Sequence, residues 1–286
     1  MKSYKLSIYL IAAILLMLIQ PRGFALPKNR LESPFSVGLK GGANLSHIMV
    51  LEDFEIFTNL SEDNSPPKEY NKLYRNIGYQ YGFVGLYSLS DKFNLIFEPT
   101  FTHYIFRYSR EIIWQDTDNE SFSRSSNQTH KQNLHYIEFP LVLQYYYNAT
   151  PLKPYLMIGG YYGYLIGAEK ILTVREYTNI EDQSFNTSTD HQHVYVNDQY
   201  VRSRIAALAE IGAIYDLTAL QIMFGFSYNY SFNNISRENQ RYSNQLITGS
   251  SYDINDNLRL NSIHFNVRLL FPINKPSNLI KSLKCK

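Results

Sequence analysis

Leu220-Gln221-Ile222-Met223-Phe224-Gly225-Phe226-Ser227-Tyr228-Asn229-Tyr230-Ser231 puts Leu220, Ile222, Phe224, Phe226, Tyr228 and Tyr230 in one row and Gln221, Gly225, Ser227, Asn229 and Ser231 in the other. Successive side chains of a strand point to opposite faces, so a strict period of two with one greasy and one polar face reads as a strand between two unlike media.

Seven further segments carry the same signature. They are Phe35 to Ile48, Ile77 to Leu89, Phe93 to Tyr108, Leu134 to Tyr147, Pro154 to Ala168, Arg204 to Tyr215 and Asn261 to Phe271. In the last, Ile263, Phe265, Val267, Leu269 and Phe271 oppose Ser262, His264, Asn266 and Arg268. Pro154 to Ala168 is apolar on both faces, so its parity stays open.

The connections alternate in length. Residues 90–92, 148–153 and 216–219 are short, whereas 49–76, 109–133, 169–203 and 232–260 are long and rich in Asn, Ser, Asp, Glu and Arg. In an antiparallel meander alternate connections share one end, so all four long ones gather on one side. Short turns on one rim and long loops on the other are the habit of outer-membrane barrels. A strand in lipid must pair every N–H and C=O, which an open sheet edge cannot do, so eight strands are expected to close. The expected fold is all-β: an eight-stranded antiparallel up-and-down transmembrane barrel with four long outer loops and short periplasmic turns. Tyr79, Tyr81, Tyr145, Tyr147, Tyr228 and Tyr230 fall near the ends of outward rows, where amphipathic rings suit a headgroup girdle.

Composition agrees. The 286 residues include 25 Tyr and 17 Phe, with 18% charged residues, which excludes a chain kept disordered by charge. Lys2 and Lys5 precede a run of fourteen residues, Leu6 to Ile19, apolar except for Ser7, and a polar stretch ending Gly23-Phe24-Ala25, the order of a secretory signal peptide over 1–25. Without that segment, which holds three bases and no acid, 24 bases face 25 acids, so the pI of 8.4 does not argue for nucleic acid. The barrel domain then spans 26–271 and a basic tail 272–286. The one cysteine, Cys285, excludes a disulfide framework.

Inside such a barrel Lys40, Glu98, Glu138, Arg204, Glu210 and Arg268 point inward. Eight strands leave an interior just wide enough for side chains, so these charges are expected to pair as a lumen network, with a gated polar pathway or a small-ligand site as the alternative. Inward Gly38, Gly78, Gly82, Gly212 and Gly225 either make room for long side chains or mark bends, the bends being the blander reading. His191 and His193 have the spacing of a metal pair but no third ligand, and read as solvated loop. His103 with Ser109 or Asp116 is the nearest approach to a hydrolytic group. G-x-S-x-G, H-E-x-x-H and phosphate-binding glycine loops are absent from the sequence. No catalytic, cofactor or metal residue is therefore assigned.

FSVGLKGGANLSHI, LIFEPTFTHY, YIEFPLVLQYYY and KPYLMIGGYYGYLIGA together resemble the PorT-like outer-membrane β-barrel domain of Bacteroidota, the most specific element being Glu138-Phe139-Pro140-Leu141 followed by Pro154-Tyr155. The resemblance implies an eight-stranded barrel in the cell outer membrane; it does not imply an enzyme, and no catalysis is expected. A minority of such proteins look like accessory parts of secretion or gliding machinery. The expected function is structural or interactive, through the long extracellular loops, with a solute channel as the alternative. Implied partners are outer-membrane lipids, the barrel-assembly machinery and an extracellular or periplasmic protein, with no nucleic acid.

Overall fold

The computed structural model describes residues 34–54, 67–71, 76–115, 122–147, 149, 151–180, 183–217, 220–243 and 253–273. The expected signal peptide, Asp116 and Cys285 lie outside them. Eleven strands form one antiparallel sheet: β1 (Phe35–Glu52), β2 (Glu69–Tyr70), β3 (Ile77–Ser88), β4 (Phe93–Phe97), β5 (Thr100–Gln115), β6 (Phe122–Tyr146), β7 (Leu152–Ile180), β8 (Gln183–Tyr195), β9 (Ser203–Asp216), β10 (Gln221–Ser231) and β11 (Asn257–Pro272). Among the described residues no helix is long and apolar enough to cross a membrane, which says nothing of strands.

The ladders trace a ring of eight positions. β1 pairs with β3 and β11, β11 with β10, β10 with β9, β9 with β7 and β7 with β6. β4 and β5 share the eighth position, between β3 and β6. The Phe93 to Tyr108 segment is thus two strands. Glu98-Pro99 breaks it, because proline has no N–H to give the ladder. Even there the carbonyl of Pro99 accepts from Phe83 N and the amide of Glu98 donates to Pro140 O, so pairing is kept across the break.

The wall is inverted relative to a soluble protein. Phe83 is 67% exposed and Ile211 61%, while inward Arg204 and Arg268 are 0% and 1% exposed. Burial also settles the parity of Pro154 to Ala168. Tyr155, Met157, Tyr161 and Leu165 point inward, and Leu156, Ile158, Tyr162 and Tyr164 outward.

Two of the long connections correct the loop expectation. Residues 109–133 and 169–203 are largely strand: β5 runs on to Gln115, β6 begins at Phe122, β7 reaches Ile180 and β8 returns beside it. Their polarity reads as loop only if a strand needs a greasy face. Beyond the lipid both faces can meet water or one another, and the ladder needs no apolar row. A four-stranded ribbon, β5-β6-β7-β8, therefore rises from one side of the barrel.

Candidate functional site

The lumen is stratified. Near the short turns it is filled by Val84, Leu86, Ile96, Val142, Met223 and Leu270. Toward the ribbon a second apolar cluster includes Tyr104, Phe106, Leu134, Val196, Ile235 and Leu260. The six inward charges lie between these two fillings.

They divide into two neutral groups. Arg268 spans two carboxylates: its Nε lies 2.5 Å from Glu98 Oε1 and its terminal nitrogen Nη1 2.5 Å from Glu210 Oε1. Lys40 Nζ donates to Glu98 at 2.9 Å and Tyr155 Oη to Glu210 at 2.7 Å. Two cations thus meet two anions. Apart from them, Arg204 meets Glu138 at 3.2 Å, donates to Ser231 Oγ at 2.6 Å and to Leu260 O at 2.7 Å. Its guanidinium sits among the rings of Tyr104, Tyr136 and Tyr161, 4.8, 5.7 and 5.3 Å away. Thr102 and Tyr104 donate to the same Glu138. Charges removed from water are tolerable only when paired and hydrogen-bonded in this way.

Glycine makes the packing possible. A Cβ on Gly225 would lie 2.1 Å from Glu210 Oε1, and one on Gly212 2.4 Å from Tyr155 Cζ as well as 2.1 Å from the backbone Phe224 O. Those two positions make room for side chains, the reading ranked second to bends. At Gly38 and Gly82 the nearest atoms are backbone of the adjoining strand, Leu269 O and Pro99 O, and at Gly78 His103 O.

A third neutral group, which no sequence pattern marks, caps the outer end. Asp253 to Asp256 are buried, inserted from the connection before β11. Lys68 donates to Asp256 Oδ1 at 2.8 Å, Lys170 to Asp253, and Tyr70 and Tyr108 donate to Asp256 and Asp253 at 2.6 and 2.7 Å. Burial alone would raise the Asp253 carboxyl, but Lys170, His130 and Lys68 hold it well below the usual carboxylate range. Burial pushes His130, stacked on Tyr108 with 4.5 Å between centroids, down to about 3. These residues lie above the exposed aromatic band. Lys170 was hidden because it falls in a stretch read as loop, and Asp253 and Asp256 because no periodicity marks them.

The other candidates are not brought together. His103 stacks on His135 on the outer face, 4.6 Å between centroids, and Ser109 is six residues further along the same strand, about 20 Å away at strand rise. His191 and His193 stand on β8, not in a loop, bonded to Thr173 Oγ1 and Glu169 Oε2 at 3.1 and 3.3 Å. Among the described residues no three His, Cys, Asp or Glu are grouped to hold a metal ion.

Comparison with solved structures finds outer-membrane barrels of low identity. Neisserial surface protein A is 13% identical, with 82% of this chain and 96% of that chain covered and a TM-score of 0.30. Ail of Yersinia pestis is 11% identical, covering 84% and 100%, with a TM-score of 0.32. OprG of Pseudomonas aeruginosa is 11% identical, covering 85% and 98%, with a TM-score of 0.38. No curated protein matches the chain. The family described as outer membrane protein beta-barrel domain matches residues 24–237, most of the sequence. With an apolar exterior and a ring of paired strands already on the page, that match makes the chain a member of the outer membrane protein beta-barrel domain family, located in the cell outer membrane.

Proposed function

We propose that this barrel is a sealed anchor whose role is structural or interactive, exerted through the ribbon and connections on its outer side, without catalysis. The observation that carries this reading is the packed lumen: its six charges are neutralised by one another and lie between two apolar clusters. Ions cross protein only where water or polar groups replace their hydration, and apolar packing offers neither. The part free to meet a partner is then the ribbon of β5 to β8.

The PorT-like resemblance fits this reading and narrows it to an accessory part of a secretion or gliding system, in contact with an extracellular or periplasmic protein. Export through residues 1–25 and insertion by the barrel-assembly machinery complete the proposal. Planar-bilayer recording of the folded protein tests it. No steady conductance is expected from the native chain; discrete, voltage-stable openings would overturn the anchor in favour of the channel. Replacing residues 110–128 and 172–192 by short turns is expected to leave the membrane wall intact and abolish the host phenotype of the native protein.

A further inference from the structure

The lipid-facing row of β9 is small. It reads Ile205, Ala207, Ala209, Ile211, Ala213, and its two upper alanines lie beside bulkier tyrosines of β10. Ala207 stands opposite Tyr230 of β10 on one side and Gly160 of β7 on the other; Ala209 stands opposite Tyr228 and Ile158. Tyr228 and Tyr230 make one ridge, Tyr162 and Tyr164 the other, and all four are exposed. Tyr162 and Tyr164 stand opposite Ile205 and Ser203, so the furrow lies over Ala207 and Ala209, just below the exposed Ile205 at the outer rim.

Each ridge carries an arginine at that end. Arg202 Nη1 donates to Tyr164 Oη at 3.3 Å, and Arg259 Nη1 donates to Tyr230 Oη at 2.7 Å with its guanidinium 5.3 Å from the same ring. Arg259 Nε is buried with no partner. Unlike the inward Arg204 and Arg268, neither has a carboxylate within ion-pair distance among the described residues. The two tyrosine anchors are two strand spacings apart and, by register, four residues apart along the strand, about 16 Å in all. Two uncompensated cations are thus held on the lipid side of the wall, at the depth where girdle tyrosines meet headgroups.

From this arrangement we infer a seat for a phosphorylated lipid of the outer leaflet. Its phosphate oxygens accept hydrogen bonds from Arg202 and Arg259, and one acyl chain lies over Ala207 and Ala209 beside Tyr228 and Tyr230. The guanidinium fork suits phosphate oxygens, and the tyrosines keep both forks from folding back into water. The furrow needs an occupant because an unfilled gap beside the wall forfeits dispersion contacts. A molecule reaching both features must lie in the bilayer with a negative head at its surface, which a protein loop or a soluble anion does not do. This inference needs only the membrane location and holds whether or not the lumen conducts.

Native mass spectrometry of the folded protein, released from micelles doped with one lipid at a time, tests it. The probes are a bisphosphorylated lipid A, phosphatidylglycerol and zwitterionic phosphatidylethanolamine. Retention of at least one phosphorylated anionic lipid over phosphatidylethanolamine by about tenfold is expected, which corresponds to about 1.4 kcal/mol. Because the anchors are about 16 Å apart, each arginine takes its own phosphate, and preference for lipid A over phosphatidylglycerol is expected. Arg202→Gln with Arg259→Gln is expected to erase the preference, and Ala207→Phe with Ala209→Phe to lower retention with both arginines present. Heat-dependent gel mobility checks that each variant is folded, and Ala209→Leu replaces the double phenylalanine variant if that one fails. Equal retention of phosphatidylethanolamine, an unchanged preference in the arginine variant, or complete displacement by inorganic phosphate would each overturn the seat.

Discussion

Arg268 of β11 and Glu98, at the break between β4 and β5, form a two-point pair across the lumen, with Nε to Oε1 at 2.5 Å and Nη2 to Oε2 at 3.1 Å, although 170 residues separate them. Because Arg268 also holds Glu210, and Glu98 also holds Lys40, the group is neutral only when all four are present. Glu98→Gln leaves one buried positive charge in excess, and such a loss costs about 3 kcal/mol. The temperature at which the folded band disappears on gels is expected to drop for Glu98→Gln and to recover in part for Glu98→Gln with Lys40→Met, which restores neutrality. A double variant as unstable as the single one would show that hydrogen bonding, not charge balance, dominates.

Two glycine substitutions should separate packed from open wall. A Cβ at Gly225 meets Glu210 Oε1 at 2.1 Å and Tyr155 Oη at 2.5 Å, both fixed by Arg268, whereas a Cβ at Gly41 meets nothing within 4 Å. Gly225→Ala is expected to cost about 1–3 kcal/mol in urea unfolding, the usual penalty of overpacking. Gly41→Ala should be neutral or slightly stabilising. Equal effects at both positions would remove the steric argument.

The lipid-facing wall can be tested by charge. Leu141, midway along the lower part of β6, is 53% exposed. Exposed leucine in water tolerates arginine, but at the depth of a bilayer midplane Leu141→Arg is expected to cost about 2–4 kcal/mol. Refolding yield into vesicles measures it. Normal yield would put this surface outside the hydrocarbon.

The outer cap should weaken in acid through His130. Its folded value of about 3 lies below the ordinary imidazole range, so the unfolded cap takes up a proton first as pH falls. The stability due to neutral His130 is complete above about pH 6.5 and decreases by about 1.4 kcal/mol per pH unit below it, until pH approaches 3. Asp253 has the same sign, its depressed value giving stability that is lost only below the ordinary carboxylate range. Hydrogen exchange of the amides of Asp253 to Asp256 is expected to quicken between pH 7 and 5 in the native chain beyond its intrinsic pH dependence. That excess should vanish in His130→Gln.

How far the sequence could be read depended on which medium each residue meets. Phe224, Phe226, Tyr228 and Tyr230 lie between lipid and lumen, so their alternation is compulsory and visible; so are the inward Glu98, Glu210 and Arg268. Gln128, His130 and Gln132 also alternate into an interior, but their outward neighbours meet water, and nothing in the residue types distinguishes the ribbon from a loop. Pro154 to Ala168 lacked contrast for another reason: Met157 and Tyr161 fill the lumen with apolar groups, so both rows look greasy.

The location of the wall, its period of two, the ring of eight and the inward facing of six charges were legible in the residues alone, because a strand between hydrocarbon and a polar interior has one acceptable pattern. Tertiary structure alone decided which charge meets which, since Lys40, Glu98, Glu210 and Arg268 come together through strand register and shear, and pairing across a lumen leaves no mark on spacing along the chain. It also decided the cap, where Lys68, Lys170, Asp253 and Asp256 arrive from three separate segments. The pairing of Arg202 and Arg259 with Tyr164 and Tyr230 at the rim has the same origin: neighbouring strands bring side chains within hydrogen-bond reach that local sequence keeps apart.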